Sequence, residues 1–220
     1  MESTVDILQN HLPKALWETT QVVLIATLVG GVFGTIIGLI LYLTGNPLFF
    51  KNKVINSIVG FIVNSIRSLP FLILMVVLIP FVAIIFGDPY TPLGGSVSLT
   101  IAAIPFYARI AEGAFSEIDN GVLESAISTG ASLRLIIKEV IFSESLPSLI
   151  RGCVLTIVSL LGYSAMLGTI GAGGIGDLAI QYGYNRYETG VLFAVIIILI
   201  VIVQLIQWLG DILANKASKS

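Results

Sequence analysis

Long apolar runs separated by short polar breaks dominate this chain. The first runs from about Trp17 to Leu43 and is ended by Asn46 and Pro47, after which Lys51 and Lys53 mark a short polar connection. The second, from about Asn56 to Phe86, is interrupted by Arg67, Pro70 and Pro80. It reads as an entry helix to about Leu69 and a kinked span beyond, because proline in a membrane helix is tolerated as a kink. Gly87, Asp88, Pro89 and Pro92 form a turn-rich loop. A third run covers roughly Ser96 to Phe115, and a polar segment from Ser116 to Ser145 follows. The fourth run extends from Leu146 to Ile170, and a glycine-rich stretch and an aromatic loop lead on to Thr189. The fifth is the cleanest, from Gly190 to Leu213, with Lys216 and Lys219 closing the chain. A spanning helix needs roughly 20 apolar residues. The pattern predicts an all-α polytopic membrane protein with five transmembrane helices.

Composition agrees: 56% of the 220 residues are hydrophobic and 11% charged, with mean hydropathy +1.00. A soluble domain carries about 25% charged residues, so this chain lacks the polar surface to cover itself in water. The basic residues set an orientation. With the C-terminus cytoplasmic, the inner segments hold Lys51, Lys53, Arg134, Lys138, Lys216 and Lys219, while the outer ones keep only Lys14 and Arg186. The positive-inside rule then predicts an outside N-terminus and a cytoplasmic C-terminus. The expected organisation is an external N-terminal segment at 1–16, a transmembrane domain at 17–213 and a cytoplasmic tail at 214–220.

Several function classes fall away. A net charge of −2 and the absence of a basic tract argue against a nucleic-acid partner. The single histidine, His11, and single cysteine, Cys153, offer neither metal-ligand spacing nor an intrachain disulfide. No nucleophile elbow and no paired acids suggest catalysis, so the chain reads as a non-enzyme. Gly171, Gly173 and Gly176 formally satisfy G-x-G-x-x-G, but a membrane span rather than a strand precedes them, so the dinucleotide reading fails. A closely packed bend is the plainer reading. The phosphate-binding G-x-x-x-x-G-K-[ST] is absent as well, so this chain does not supply an ATP site of that kind.

The polar segment at about 116–145 is the most informative. Asp119 and Asn120 are good N-caps for a helix through Val122 to Ile127. Gly130 suits a helix C-terminus, and Ser132 can cap a second helix. There Leu133, Ile136, Ile137, Val140 and Ile141 share one face, and Arg134, Lys138 and Glu139 the other. The prediction is two short amphipathic helices across a glycine hinge. Such helices either lie in lipid headgroups or dock into a groove on a partner protein. In the first span Gly30, Gly34 and Gly38 put small residues on one face, which allows close approach of another helix, in the same subunit or in a second copy. An arginine at the bilayer centre costs about 2.5–3.5 kcal/mol on insertion scales, so Arg67 either snorkels or faces protein or a pathway. Arg109 and Glu112 are spaced to pair, and Tyr182, Tyr184 and Tyr187 suit an interfacial belt or a docking surface.

Glu124-Ser125-Ala126, with Gly130 four residues beyond Ala126, resembles the "EAA…G" loop of ABC-importer permeases. Arg67-Ser68-Leu69-Pro70-Phe71, Pro105-Phe106-Tyr107-Ala108-Arg109 and Glu112 are similar to that family's second and third spans. Leu161-Gly162-Tyr163-Ser164-Ala165-Met166, Gly171-Ala172-Gly173-Gly174-Ile175-Gly176 and Gln181-Tyr182-Gly183-Tyr184 look most like the methionine-importer permeases. The resemblance covers roughly Trp17 to Asp211. It departs at Ser125, where the family has alanine, and at Phe142-Ser143, where the family has Leu-Pro. The missing proline leaves the second loop helix without its usual stop.

The resemblance implies the type I importer fold, with two short coupling helices in the loop between spans three and four. It implies a permease in the bacterial plasma membrane that moves an amino acid, methionine above others, into the cell. Glu124, Ser125, Ala126 and Gly130 would couple to ATP hydrolysis, and Arg67, Tyr163, Ser164 and Met166 would lie along the pathway or its gate. The implied partners are a second copy of the chain, two ATP-binding subunits, an extracytoplasmic substrate-binding protein and membrane lipid. ATP and magnesium belong to the ATPase, and no cofactor or metal to this chain. The competing reading is a self-sufficient secondary transporter or channel.

Overall fold

The structure, a computed structural model, describes residues 3–218; Lys219, counted above with the tail, lies outside them. Every regular element among the described residues is helical. Helix α1 (Thr4–Gly45) opens on a capping box. Ser3 Oγ accepts from the Asp6 amide, and the Asp6 carboxylate accepts from the Ser3 amide at 3.0 Å. Its 42 residues give a rod of about 63 Å at 1.5 Å per residue, twice the hydrocarbon thickness of roughly 30 Å. Residues 4–16 are therefore continuous with the first span. They stay helical because Ile7 and Ala15 are buried against Ile175, Leu178, Val191 and Val195.

Asn46 and Pro47 end α1, and Asn52 caps α2 (Lys53–Arg67) by accepting from Val54 and Ile55. The Asn56 side chain donates to the Leu41 carbonyl at 2.8 Å and so ties α2 back to α1. After Ser68-Leu69-Pro70 the chain restarts as α3 (Phe71–Phe86), bent 101° from α2. Pro70 supplies no amide and pushes Leu69 out of the helical region, so the break falls there. With 15 and 16 residues, each half is about 23 Å long and too short to cross alone. The described residues hold four helices long and apolar enough to cross a membrane, five when this bent pair counts as one.

Helix α4 (Pro92–Ser116) has Thr91 as cap and proline in its first turn. It packs on α1 along the glycine stripe. A Cβ added at Gly30 would lie 2.6 Å from Ala103 Cβ, at Gly34 2.9 Å from the Ile104 carbonyl oxygen, and at Gly38 2.6 Å from the Ala108 carbonyl oxygen. The stripe thus serves an approach within the subunit, and Ala103, Ala108 and Ala111 opposite it are fully buried.

Asp119 caps α5 (Asn120–Ser128), Gly130 turns with φ +75°, and Ser132 caps the next helix. The second of the two short loop helices expected from the sequence does not end. It continues as α6 (Leu133–Ile170), a single 38-residue helix. The reason is local: no proline stands at 142 or 143, a π-helical turn at Ile136–Ile141 carries the chain onward, and Pro147 is accommodated within the helix. Ser145 Oγ then donates to the Ile141 carbonyl at 2.6 Å.

Gly171, with φ +75°, stops α6. The closely packed bend expected of the glycine stretch turns at Gly171–Gly173, and from there the chain, expected to continue as a loop, folds into a short helix, α7 (Gly174–Leu178), prolonged by π-helical turns at Ala179–Tyr184. It packs back against α6 so closely that a Cβ on Gly168 would fall 2.2 Å from the Asp177 nitrogen. Two side chains of α1 hold its start: Glu18 accepts from the Gly174 amide and Thr19 from the Ile175 amide, both at 2.8 Å. Helix α8 (Thr189–Ala217) completes the chain and is mostly exposed, with Phe193, Ile197, Ile200 and Trp208 all more than half accessible. A continuous apolar surface of that extent is what a bilayer or another apolar partner covers.

Two consequences are testable. Gly38→Leu should cost about 1–3 kcal/mol through overpacking and lower the thermal unfolding midpoint in detergent. Gly31→Ala, with nothing within 4 Å of the added carbon, should be neutral or stabilising. Thr19→Val strands the Ile175 amide, a loss of about 1–3 kcal/mol; limited proteolysis should then cut faster near residues 184–188, and Thr19→Ser should restore resistance.

Candidate functional site

Two of the regions that combine polar side chains with open space gather residues singled out from the sequence as site candidates. The first surrounds α5. Leu123 is fully buried and Ala126 half-buried, and both pack on a cluster that includes Phe115, Ile136 and Ile141. The rest of α5 is open: Val122, Glu124, Ser125 and Ile127, on either side of that buried edge and away from it, are exposed. Of the four loop residues singled out from the sequence, Glu124, Ser125 and Gly130 face outward, while Ala126 packs inward. A Cβ on Gly130 would meet nothing within 4 Å. That glycine is needed for its left-handed backbone, not to make room for a neighbour in this subunit.

Between α5 and the ends of α1 and α4 lies a cavity of about 380 Å³, lined by Tyr42, Asn46, Glu112, Ser116, Asn120 and Glu124 among others. Glu112 pairs with Arg109. Arg109 also donates to Asn64 at 3.2 Å and to the Gly60 carbonyl at 3.4 Å. The expected Arg109–Glu112 pair is therefore part of a clamp that fixes α2 to α4. At the end of α4, Ser148 donates to Glu117 at 2.7 Å and ties α6 to the same junction. Helix α5 consequently sits where α1, α4 and α6 are locked together.

The second region is the break between α2 and α3. A cavity of about 150 Å³ there is lined by Arg67, Phe71, Leu74, Ala102, Phe106 and Tyr163 among others. Tyr163 stacks on Phe71, with ring centroids 5.1 Å apart and planes 14° off parallel. Two of the four pathway residues named from the sequence, Arg67 and Tyr163, thus meet in one cavity. The other two do not join them. Ser164 is buried on another face of α6, where it lines a small void with Glu18, Thr19 and Gly174 and donates to the Leu161 carbonyl. Met166 is exposed.

At the α7 end of the bundle, His11 and Tyr182 share a 2.9 Å hydrogen bond, and the Arg186 guanidinium lies 4.2 Å above the Tyr182 ring. Tyr182 is therefore a packing residue, whereas Tyr184 and Tyr187 are exposed. Sequence reasoning passed over Glu18, Thr19 and Asn64. Their signal was the presence of a hydrogen-bonding side chain within or at the edge of an apolar run.

This arrangement matches known proteins. The family model for binding-protein-dependent transport system inner membrane components matches residues 22–219. The chain is 42% identical over 205 residues to the probable D-methionine transport system permease protein MetI of Vibrio cholerae, covering 93% of this chain and 91% of that protein. It is 40% identical over 180 residues to the methionine import system permease protein MetP of Bacillus subtilis, covering 82% and 81%. Among solved structures, an inward-facing conformation of the MetNI methionine ABC transporter superposes with a TM-score of 0.90 at 38% identity, over 94% of this chain and 95% of that one. An amino acid ABC transporter with histidines shares the fold, with a TM-score of 0.79 at 19% identity over 98% and 99% of the two chains. This chain belongs to the family of binding-protein-dependent transport system inner membrane components, multi-pass proteins of the bacterial plasma membrane.

Proposed function

We propose that this chain is the permease subunit of an ATP-driven importer that carries an amino acid, methionine, into the cell. The cargo is supported by the names of relatives at 42% and 40% identity and by the likeness to a methionine transporter. Two copies form the pathway. Two separate ATP-binding subunits bring ATP and magnesium, a substrate-binding protein delivers cargo from outside, and lipid surrounds the assembly. The chain itself performs no chemistry. Its N-terminus is outside and its C-terminus cytoplasmic. This orientation gathers Lys51, Lys53, Arg134, Lys138 and Lys216 at the α5 end, and leaves Lys14 and Arg186 at the other.

The observation that carries this reading is the exposed face of α5, ended by Gly130 with open space around it. Glu124 and Ser125, on the side of α5 away from Leu123, and Val122 and Ile127, which flank the buried edge, offer the ATPase a mixed apolar and acidic surface, the kind a groove on a partner accepts. Ala126 and Leu123 pass the resulting push to the bundle. Across Gly130 the chain enters α6, which runs unbroken to Ile170, so a displacement at α5 reaches Tyr163 through one continuous helix. Arg67, Tyr163, Ser164 and Met166 then act along the pathway or its gate.

Gly130→Asp tests the coupling role. Aspartate tolerates the left-handed region better than most residues, and nothing nearby obstructs it. The variant should keep its expression level and thermal stability, yet lose the ATPase from the purified complex or uncouple hydrolysis from uptake. Undiminished methionine uptake by this variant contradicts the assignment of α5.

A further inference from the structure

The cavity at the α2–α3 break has a chemistry of its own. Arg67 makes no hydrogen bond and no ion pair among the described residues, in contrast to Arg109, which is fully engaged. It stands at the far end of the 15-residue α2, about 22 Å along the helix from Lys53, and is exposed on the surface of this chain. The cavity it lines is also lined by Ala102 and Phe106, which lie at the middle of the 25-residue α4. An unpaired guanidinium at that depth calls for an anion or a water-filled space. The remaining walls are apolar, with Phe71 and Tyr163 stacked into one flat side and Phe106 and Leu74 nearby.

The break adds to this. No side chain caps the start of α3, and the last carbonyls of α2 lie only a few residues away. Broken helices in a membrane present opposite partial charges to the two ends of a zwitterion. A guanidinium binds a carboxylate through two parallel hydrogen bonds, more strongly where water is scarce.

We propose that this cavity is a substrate site within the membrane. Arg67 would hold the α-carboxylate of the transported amino acid, and Phe71, Phe106 and Tyr163 would receive its unbranched apolar side chain. The proposal rests on the importer reading above and deepens it: selection for an apolar amino acid occurs in this subunit as well as in any delivering protein. Because Tyr163 belongs to α6, whose start adjoins α5, movement of α5 opens or closes the aromatic wall.

The test uses the purified permease–ATPase complex in lipid nanodiscs, without a binding protein. The probe is an aliphatic amino acid carrying a side-chain diazirine, compared with its carboxamide. After photolysis, labels should map to peptides containing Phe71, Phe106 or Tyr163, and the acid should label them about tenfold more than the amide, the worth of a charge-assisted contact. Arg67→Gln should erase that difference, and Arg67→Lys should keep part of it. Phe106→Trp, which fills the cavity and leaves the charge in place, should lower labelling by both probes. Equal labelling by acid and amide in the unmodified complex, or labels confined to other segments, overturns the proposal alone. Failure of the unmodified chain to assemble with an ATPase overturns the importer reading and the proposal with it.

Discussion

Because Gly30, Gly34 and Gly38 carry no side chains, α1 approaches α4 until backbone meets backbone, with 2.6 Å between the place of a Cβ on Gly38 and the Ala108 carbonyl oxygen. Lipid chains are as apolar as leucine, so helices in a bilayer gain little from hiding apolar surface from one another. Close packing has to supply the attraction. The α1–α4 contact is the most extensive in the molecule, and other elements are fastened to it. Helix α2 is attached through Asn56 at one end and Arg109 at the other, and α7 through Glu18 and Thr19. Helix α6 reaches α4 through the buried hydrogen bond from Tyr107 to the Leu149 carbonyl.

These attachments follow one rule. A polar group in an apolar medium is kept only where the chain supplies its partner. Asn56, Glu18, Thr19 and Arg109 all meet that requirement within the subunit. Arg67 does not, nor does the buried hydroxyl of Thr27, and Arg67 lies at the one break of more than 40° between spanning segments found among the described residues. A close-packed seam with the unpaired charge of Arg67 beside a broken helix is a suitable arrangement for a transport subunit. In the proposed importer the seam would give the ATPase something stiff to push on, and the break would be where the push changes the shape of a cavity.

Much of this was legible in the sequence. The apolar runs located every spanning element, and Asp119, Gly130 and Ser132 marked the loop helix and its hinge at the positions observed. The true start of α1 was missed because residues 4–16 are amphipathic rather than uniformly apolar, although Ser3 and Asp6 spell a capping box. Pro70 announced a break but not its 101° angle, which depends on what α2 and α3 each pack against. The folding of the glycine stretch into α7 depends on contacts between Gly168 and Asp177 and on Glu18, more than 150 residues away in the chain. No local pattern encodes those. For the same reason the sequence grouped Tyr163, Ser164 and Met166 by adjacency, whereas a helix turns such neighbours to different faces.

The central claim is that α5 is the cytoplasmic element gripped by the ATPase. It is tested most directly by placing a single cysteine at Ser125 in a Cys153→Ala background and labelling it with a membrane-impermeant maleimide. The account predicts labelling in inside-out vesicles and not in intact spheroplasts, with protection once the ATPase is assembled on the permease. Labelling from the outside, or labelling at the same rate with and without the ATPase, would contradict it.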